Sequence, residues 1–544
     1  MTLKWQTKEE LVNSLCQLVQ FKSISGEEGE VAIIEHVEKV LQDYPYFKEY
    51  PQYLQTDQLS DGRKLLTALV RGKRDTKKTI ILLSHIDVVG VEDYGSLQDL
   101  AFNPKELTEQ LRNDSQSLPE EVLNDLNDSQ EWLFGRGTMD MKAGTTLHLS
   151  MVEKAMAGEW DGNILLLLVP DEEVNSAGML KARHTLNQIK EKENLEFILC
   201  VNSEPMFRQF PQDEQMYIYT GSLGKVLPGF LCYGKETHVG EPFNGLNANL
   251  MLSYLNINLE LSEELMEKVG EEVTPPPISL MNRDLKENYS VQTPLTAVSM
   301  YNILLMNRSV KEISEKLHKI MEQTKLQIES HISRQASAYA DLSHSNISTS
   351  FDIKLLDYDT LYQEAVKRHG EVEVARRREA LVNEREQGDR DFSTLLVQDL
   401  AYLCKDLAPM MVLFYSPPYY PAVTSHSHPL VNSVGQHVTQ LMEREGQHQV
   451  KTIQYFNGIS DLSFIGEDNN SKENLDELYR QMPLKNNGDS FLKYLEEELV
   501  VPSINIGPIG KDAHQWTERL NVDFSFGELP HILSEAIKFT FENH

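Results

Sequence analysis

Three apolar runs of strand length, each leading straight into acidic or imidazole side chains, constrain this chain more than any other feature. They are ILLSHIDVV (81–89), NILLLLVPDEE (163–173) and FILCVNSEP (197–205). A run that is apolar at nearly every position suits a strand covered on both faces, as in a parallel sheet. Open α/β sheets bind ligands beyond the carboxyl ends of their strands. His85, Asp87, Glu172, Glu173 and Glu204 are therefore expected to meet at one sheet edge.

The surrounding pattern fits that expectation. An opening helix ends near Phe21, and a turn at 23–26 leads to a second helix, VAIIEHVEKVLQDY. Strands LLTALVRG and TIILLSHIDVV follow, then helix 142–156, strand 164–169, helix 177–190 and strand 197–201. This alternation predicts an α/β fold with a mostly parallel sheet flanked by helices. The acidic stretch between Asn103 and Glu131 reads as a surface insertion with little bearing on the core. After Met216 the texture becomes α+β. YIYTGSLGKVLPGFLCYGKETHVG reads as paired strands and LNANLMLSYLNINLELSEELMEKV as a helix. Strand-like segments near 295–300 and 348–355 bracket a further helix, and 358–410 is charged and helical in propensity, reading as a solvated helical segment. FYSPPYYPAVTSHSHP reads as a re-entry linker, and a helix, two short strands and an amphipathic closing helix follow it. The expected organisation is a catalytic domain in two parts, 1–215 and 416–544, around an inserted α+β domain at 216–415.

At 544 residues the chain exceeds what one hydrophobic core serves. Its formal charge of −32 argues against nucleic-acid or anionic-membrane partners, which need a cationic face. Cys16, Cys200, Cys232 and Cys404 lack the paired spacing of a zinc site or disulfide framework, so a reducing cytoplasm is the expected compartment. The first residues lack a signal-peptide pattern, and no apolar run approaches the ~20 residues that span a bilayer.

Two more segments join the candidate site: FGRGTMDMKAG, with Asp140, and GKDAHQWTE, with His514. Amide hydrolysis at neutral pH needs a strong nucleophile and charge stabilisation, which two bridged metal ions supply. Asp140 is the candidate bridging carboxylate, and a helix N-cap is an equally good reading of it alone. His85 is a candidate imidazole ligand with Asp87 orienting it, although a lone strand histidine is more often a core residue. His514 is the candidate ligand of the second ion, supported by Glu518 unless that residue merely starts a helix. Glu172 and Glu173 would repel each other unless a cation compensates or one is protonated. In the functional reading Glu173 binds metal and Glu172 moves the proton; the alternative is a solvated helix N-terminus. Glu204 completes the first site or sits in a surface turn. Such mixed ligands suit zinc, with cobalt or manganese as alternatives.

These five segments resemble the motifs of the M20 metallopeptidases: H-x-D, G-R-G-x-x-D-M-K, D-E-E-x-x-S-x-G, E-P and a late A-H-x-x-x-E, all in order. The resemblance implies that His85, Asp140 and Glu204 hold one metal ion, that Asp140, Glu173 and His514 hold the other, and that Glu172 is the general base. It also implies that the inserted domain is a lid, with an extra helical segment, through which a homodimer can form. Within GKETHVGEPFNGLNA it makes His238 the oxyanion stabiliser. The chain departs from the family at Ser463, where an arginine is common, and VQTPLTAVSMYN offers Asn302 but no clear match to the lid arginine. The oversized lid and the SDLSF loop are similar to an arginine-utilisation branch of the family. The expected activity is removal of the acyl group from a small N-acyl amino acid, acyl-arginine or acyl-ornithine among them. A dipeptidase or carboxypeptidase, and a silent metabolite-binding regulatory protein, are the competing readings.

Overall fold

The computed structural model describes residues 3–114, 118–210, 212–347, 349–446, 448–466, 471–486 and 492–544. The chain divides into two compact units, one of 1–223, 423–468 and 490–544, the other of 224–422 and 469–489. The described residues 471–486, read from the sequence with the closing catalytic stretch, thus pack within the second unit.

The first unit is built on an eight-stranded mixed sheet. Its order is Leu54–Gln58, Lys64–Val70, Asn163–Val169, Lys78–His85, Glu196–Asn202, Ser503–Asn505, Met216–Tyr219 and Val450–Ile453. The four central strands, from Asn163–Val169 to Ser503–Asn505, are mutually parallel. The first three are the apolar runs of the sequence, and Ile80 to Leu83 and Ile164 to Val169 are almost wholly buried. Register aligns their ends, with His85 opposite Val169 and Leu83 opposite Asn202, so the residues that follow emerge side by side. Helices Lys8–Gln20, Gly29–Gln42, Lys142–Ala157, Pro429–Glu445 and Leu529–Asn543 contribute apolar faces to the same core.

The acidic stretch 103–131 is not a bystander. Helices Pro104–Asn113 and Glu120–Asn127 send Leu107, Leu111, Val122 and Leu126 into the main core. Buried Asp125 accepts from Arg519 Nε at 2.7 Å and Lys511 Nζ at 2.7 and 2.8 Å. Composition registered the charges, whereas an amphipathic helix needs only one apolar stripe. Asp125→Ala leaves the buried Arg519 guanidinium short of a partner. A loss of about 3 kcal/mol in urea unfolding is expected.

The second unit carries a five-stranded sheet in the order Ile278–Asp284, Thr296–Leu305, Gly224–Tyr233, Met410–Tyr420 and Lys354–Asp357. Met410–Tyr420 is buried throughout. The FYSPPYY segment is therefore an interior strand and not a linker, because Pro417 and Pro418 fall at a register shift between Ser416 and Tyr420, where regular ladder bonds are not required. Likewise YIYT and VLPGFLCY do not pair with each other but lie in different sheets. Helices Tyr358–His369 and Asp389–Leu403 pack on the smaller sheet through Leu361, Val397 and Leu400. The charged 358–410 segment thus contributes to a core as well as to the surface. Among the described residues, no helix is long and apolar enough to cross a membrane.

Candidate metal centre

His85 ends its strand, and its imidazole is almost completely buried. Nδ1 lies 3.1 Å from the Asp87 carbonyl and 3.5 Å from its Oδ1, while Nε2 faces Asp140 Oδ1 at 3.2 Å, Glu204 Oε1 at 3.6 Å and Glu172 Oε2 at 3.9 Å. The other Asp140 oxygen, Oδ2, lies 3.2 Å from His514 Nε2. His514 Nε2 also approaches Glu173 at 3.0 and 3.1 Å. Asp140 thus turns one oxygen towards each of two imidazoles. Ligand atoms of His85, Asp140 and Glu204 lie within 4.8 Å of one another, as do those of Asp140, Glu173 and His514 and those of His85, Glu172 and Glu173.

Local structure runs against the simpler readings of Asp140, of the glutamate pair and of Glu204. Met141 occupies the N-cap position of helix Lys142–Ala157 without a side-chain cap bond, so Asp140 is not spent on capping. Its turn needs Gly137, whose φ is +77° and where a Cβ would meet Val88 Cγ1 at 2.7 Å. Glu172 and Glu173 are separated from helix Ala177–Lys192 by three residues and have little exposed side chain. Their amides both donate to Asp87, at 3.0 and 3.1 Å. Glu204 is buried, and the Asn505 side chain accepts from its amide at 2.8 Å and donates to its carbonyl at 2.9 Å. His514 is half-exposed at φ +63°, a left-handed conformation that is strained for a non-glycine residue and that recurs at functional sites.

The electrostatics record too little positive charge among the protein groups alone. Burial raises the proton affinity of Glu172 and Glu173, and neighbouring carboxylates add to it. Burial likewise pushes Glu204 up to about 7, although His85 favours its charged form. His514 goes the opposite way: desolvation disfavours its cation, but Asp140 and Glu173 outweigh it and push the ring up to about 11. Asp140, despite burial, is held well below the usual carboxylate range by the two imidazoles. A carboxylate cluster of this kind gains most from added cations.

Residues 81–477 match Peptidase family M20/M25/M40. The chain belongs to the M20 peptidase family. It is accordingly a metal-dependent hydrolase. This M20 protein is 47% identical to the uncharacterized protein YqjN of Bacillus subtilis (strain 168), over 98% of this chain and 97% of YqjN. It is 30% identical to Protein RocB of the same strain, over 95% of this chain and 93% of RocB. A succinyl-diaminopimelate desuccinylase of Wolinella succinogenes is 25% identical over 35% of this chain and 50% of its own length. In fold, the chain is similar to a tripeptidase from Staphylococcus aureus subsp. aureus mu50, with a TM-score of 0.54, 13% identity, and coverage of 99% of this chain and 100% of that one.

Several residues of this M20 site escaped sequence reasoning. Ser25 Oγ donates to Asp87 at 2.7 Å, which makes Asp87 a hub for the His85 ring, the Ser25 hydroxyl and both glutamate amides. Removing that hub by Asp87→Ala should weaken metal binding by roughly 10–100-fold, measured by calorimetric titration of the stripped protein. Buried Glu518 accepts from the Asp140 amide at 3.4 Å, the Met139 amide at 3.2 Å and Arg136 at 2.8 Å. It braces the Asp140 turn, a direct support that reading it as a prop for His514 did not foresee. Burial pushes the Asp461 carboxyl of the GISDLSF loop up to about 8, against the hydroxyl of Ser176 and the His85 ring, which favour its charged form. Ser463 in the same loop is buried, its Oγ donating to the Leu223 carbonyl at 3.4 Å. His238 lies on the second unit, exposed, with Nδ1 accepting from the Gly240 amide at 3.1 Å.

Proposed function

We propose that this M20 hydrolase holds two divalent metal ions, zinc or alternatively cobalt or manganese, and removes the acyl group from a small N-acyl amino acid. The observation that carries the reading is Asp140, with one oxygen 3.2 Å from His85 Nε2 and the other 3.2 Å from His514 Nε2. Buried carboxylates with raised proton affinity around these two imidazoles fit a pair of cations better than they fit an ordinary hydrogen-bonded core. His85, Asp140 and Glu204 would hold one ion; Asp140, Glu173 and His514 would hold the other. When bound, the pair supplies Lewis acidity and lowers the pKa of water.

Glu172 is the proton carrier in this reading. It accepts a proton as water oxygen attacks the acyl carbon, and returns it to the nitrogen as the C–N bond breaks, leaving a carboxylic acid and a free amine, between which the last proton then passes to give carboxylate and ammonium. Asp87 keeps the His85 ring oriented and fixes the backbone that presents Glu172 and Glu173. We assign the second unit as a lid that also supports a homodimer, and His238 as its donor to the developing oxyanion.

An N-acyl substrate is favoured over a peptide by the partial likeness to a protein named as a desuccinylase. The net charge of −32 disfavours anionic substrates at long range and favours a cationic amino-acid part, as in acyl-arginine or acyl-ornithine. The test is a panel of acylated arginine, ornithine and neutral amino acids, run beside dipeptides on the metal-loaded protein. Release of the free amino acid from the acylated compounds is expected, fastest for the cationic ones. Cleavage of dipeptides alone would move the assignment to a dipeptidase, and two bound ions without any turnover would move it to a metabolite-binding protein.

A further inference from the structure

Behind the candidate ligands, a completely buried histidine joins the ends of the two strands that lead to His85 and Glu204. His148 lies on helix Lys142–Ala157, with Nδ1 2.7 Å from Ser84 Oγ and Nε2 2.9 Å from Ser203 Oγ. Ser84 immediately precedes His85, and Ser203 immediately precedes Glu204. The strands Lys78–His85 and Glu196–Asn202 pair only as far as Leu83 and Asn202. Their ladder therefore stops one residue short of both serines, and the Ser84–His148–Ser203 chain takes over where it ends.

The protons of this chain can be placed. Ser203 Oγ also lies 3.0 Å from the Ile506 carbonyl, which can only accept, so the Ser203 hydroxyl donates there. Ser203 Oγ then accepts from His148 Nε2–H, and Nδ1 accepts the Ser84 hydroxyl proton. Every proton points the same way, and the ring is the neutral Nε2–H tautomer. Burial supports that state by pushing the imidazole down to about 3.

The helix is seated for this contact. A Cβ on Gly144 would lie 2.4 Å from the Ser203 carbonyl oxygen, so only glycine allows the approach. His148 follows one turn later on the same face. Between them, Thr145 Oγ1 donates to the His85 carbonyl at 3.3 Å. One helix face thus holds the ends of both strands.

We infer that His148 is a positioning residue for the His85–Asp140–Glu204 metal site, setting the spacing between His85 and Glu204. The inference rests on the two-metal reading above. It assigns no such part to His148 at the Asp140–Glu173–His514 site.

The experiment is calorimetric titration of metal-stripped, full-length protein with manganese, accompanied by thermal unfolding without metal. Wild type should show two binding steps, and Glu204→Gln identifies which step belongs to the first site. His148→Leu, which removes both hydrogen bonds, should weaken that step by roughly 10–100-fold and change the other by less than about threefold. His148→Gln, whose amide offers one donor and one acceptor, should recover most of the loss. Ser84→Ala and Ser203→Ala should each reproduce part of it, and they decide the matter should His148→Leu not fold. A folded His148→Leu protein with both steps unchanged, or with both equally weakened, overturns the inference while leaving the two-metal reading intact. The same holds for serine variants that bind as wild type does. A wild type that takes up no metal removes both.

Discussion

Glu172→Gln is expected to keep both metal ions and lose roughly 10²–10⁴-fold in turnover, because the amide preserves the shape of the side chain and cannot accept a proton from water. Its neighbour should respond differently. Glu173 lies 3.0 Å from His514 Nε2, whereas Glu172 reaches towards His85 Nε2 at 3.9 Å. Glu173→Gln should therefore lose the ion shared with His514, with activity falling as a consequence. Both amides remain anchored to Asp87 in either variant, so the comparison isolates the side chains. Metal content by mass spectrometry and a deacylation assay on the two proteins settle it. Loss of metal from Glu172→Gln with full loading of Glu173→Gln would exchange the two roles.

Asp140→Ala should have the largest effect on metal loading, reducing about two equivalents to one or fewer, since in the proposed centre its two oxygens serve different ions. The two imidazoles would also lose the carboxylate that now lies 3.2 Å from each. Equilibrium dialysis against manganese checks this directly. Wild-type loading in the variant would show that the two imidazoles are not linked through Asp140.

The central sheet and the grouping of His85, Glu172, Glu173 and Glu204 were legible for one physical reason, whereas Asp140 and His514 stood out only in glycine-bearing segments and through the family motifs. A strand buried on both faces leaves an unbroken apolar run, and charged residues straight after it stand out. The supporting residues leave no such trace. Asn505 acts on the Glu204 backbone, Ser25 on Asp87 and Glu518 on the Asp140 turn, each through contacts between segments far apart in sequence. The acidic stretch was misread because its charge dominates composition, while Leu107, Leu111, Val122 and Leu126 supply the apolar stripe. The Pro417–Pro418 strand was missed because proline argues against an interior strand until a register shift accommodates it.

The distance along the chain between Glu173 and His514, 341 residues, has a consequence for biosynthesis. At roughly 5–20 residues per second, a ribosome needs about 20–70 s to travel from one to the other. Throughout that interval the nascent chain carries His85, Asp140, Glu172 and Glu173, joined early by Glu204, without the second imidazole. The proposed paired centre therefore cannot be completed until His514 has been made. On the proposed assignment, a chain that stops before residue 514 lacks the second imidazole and should capture at most one ion.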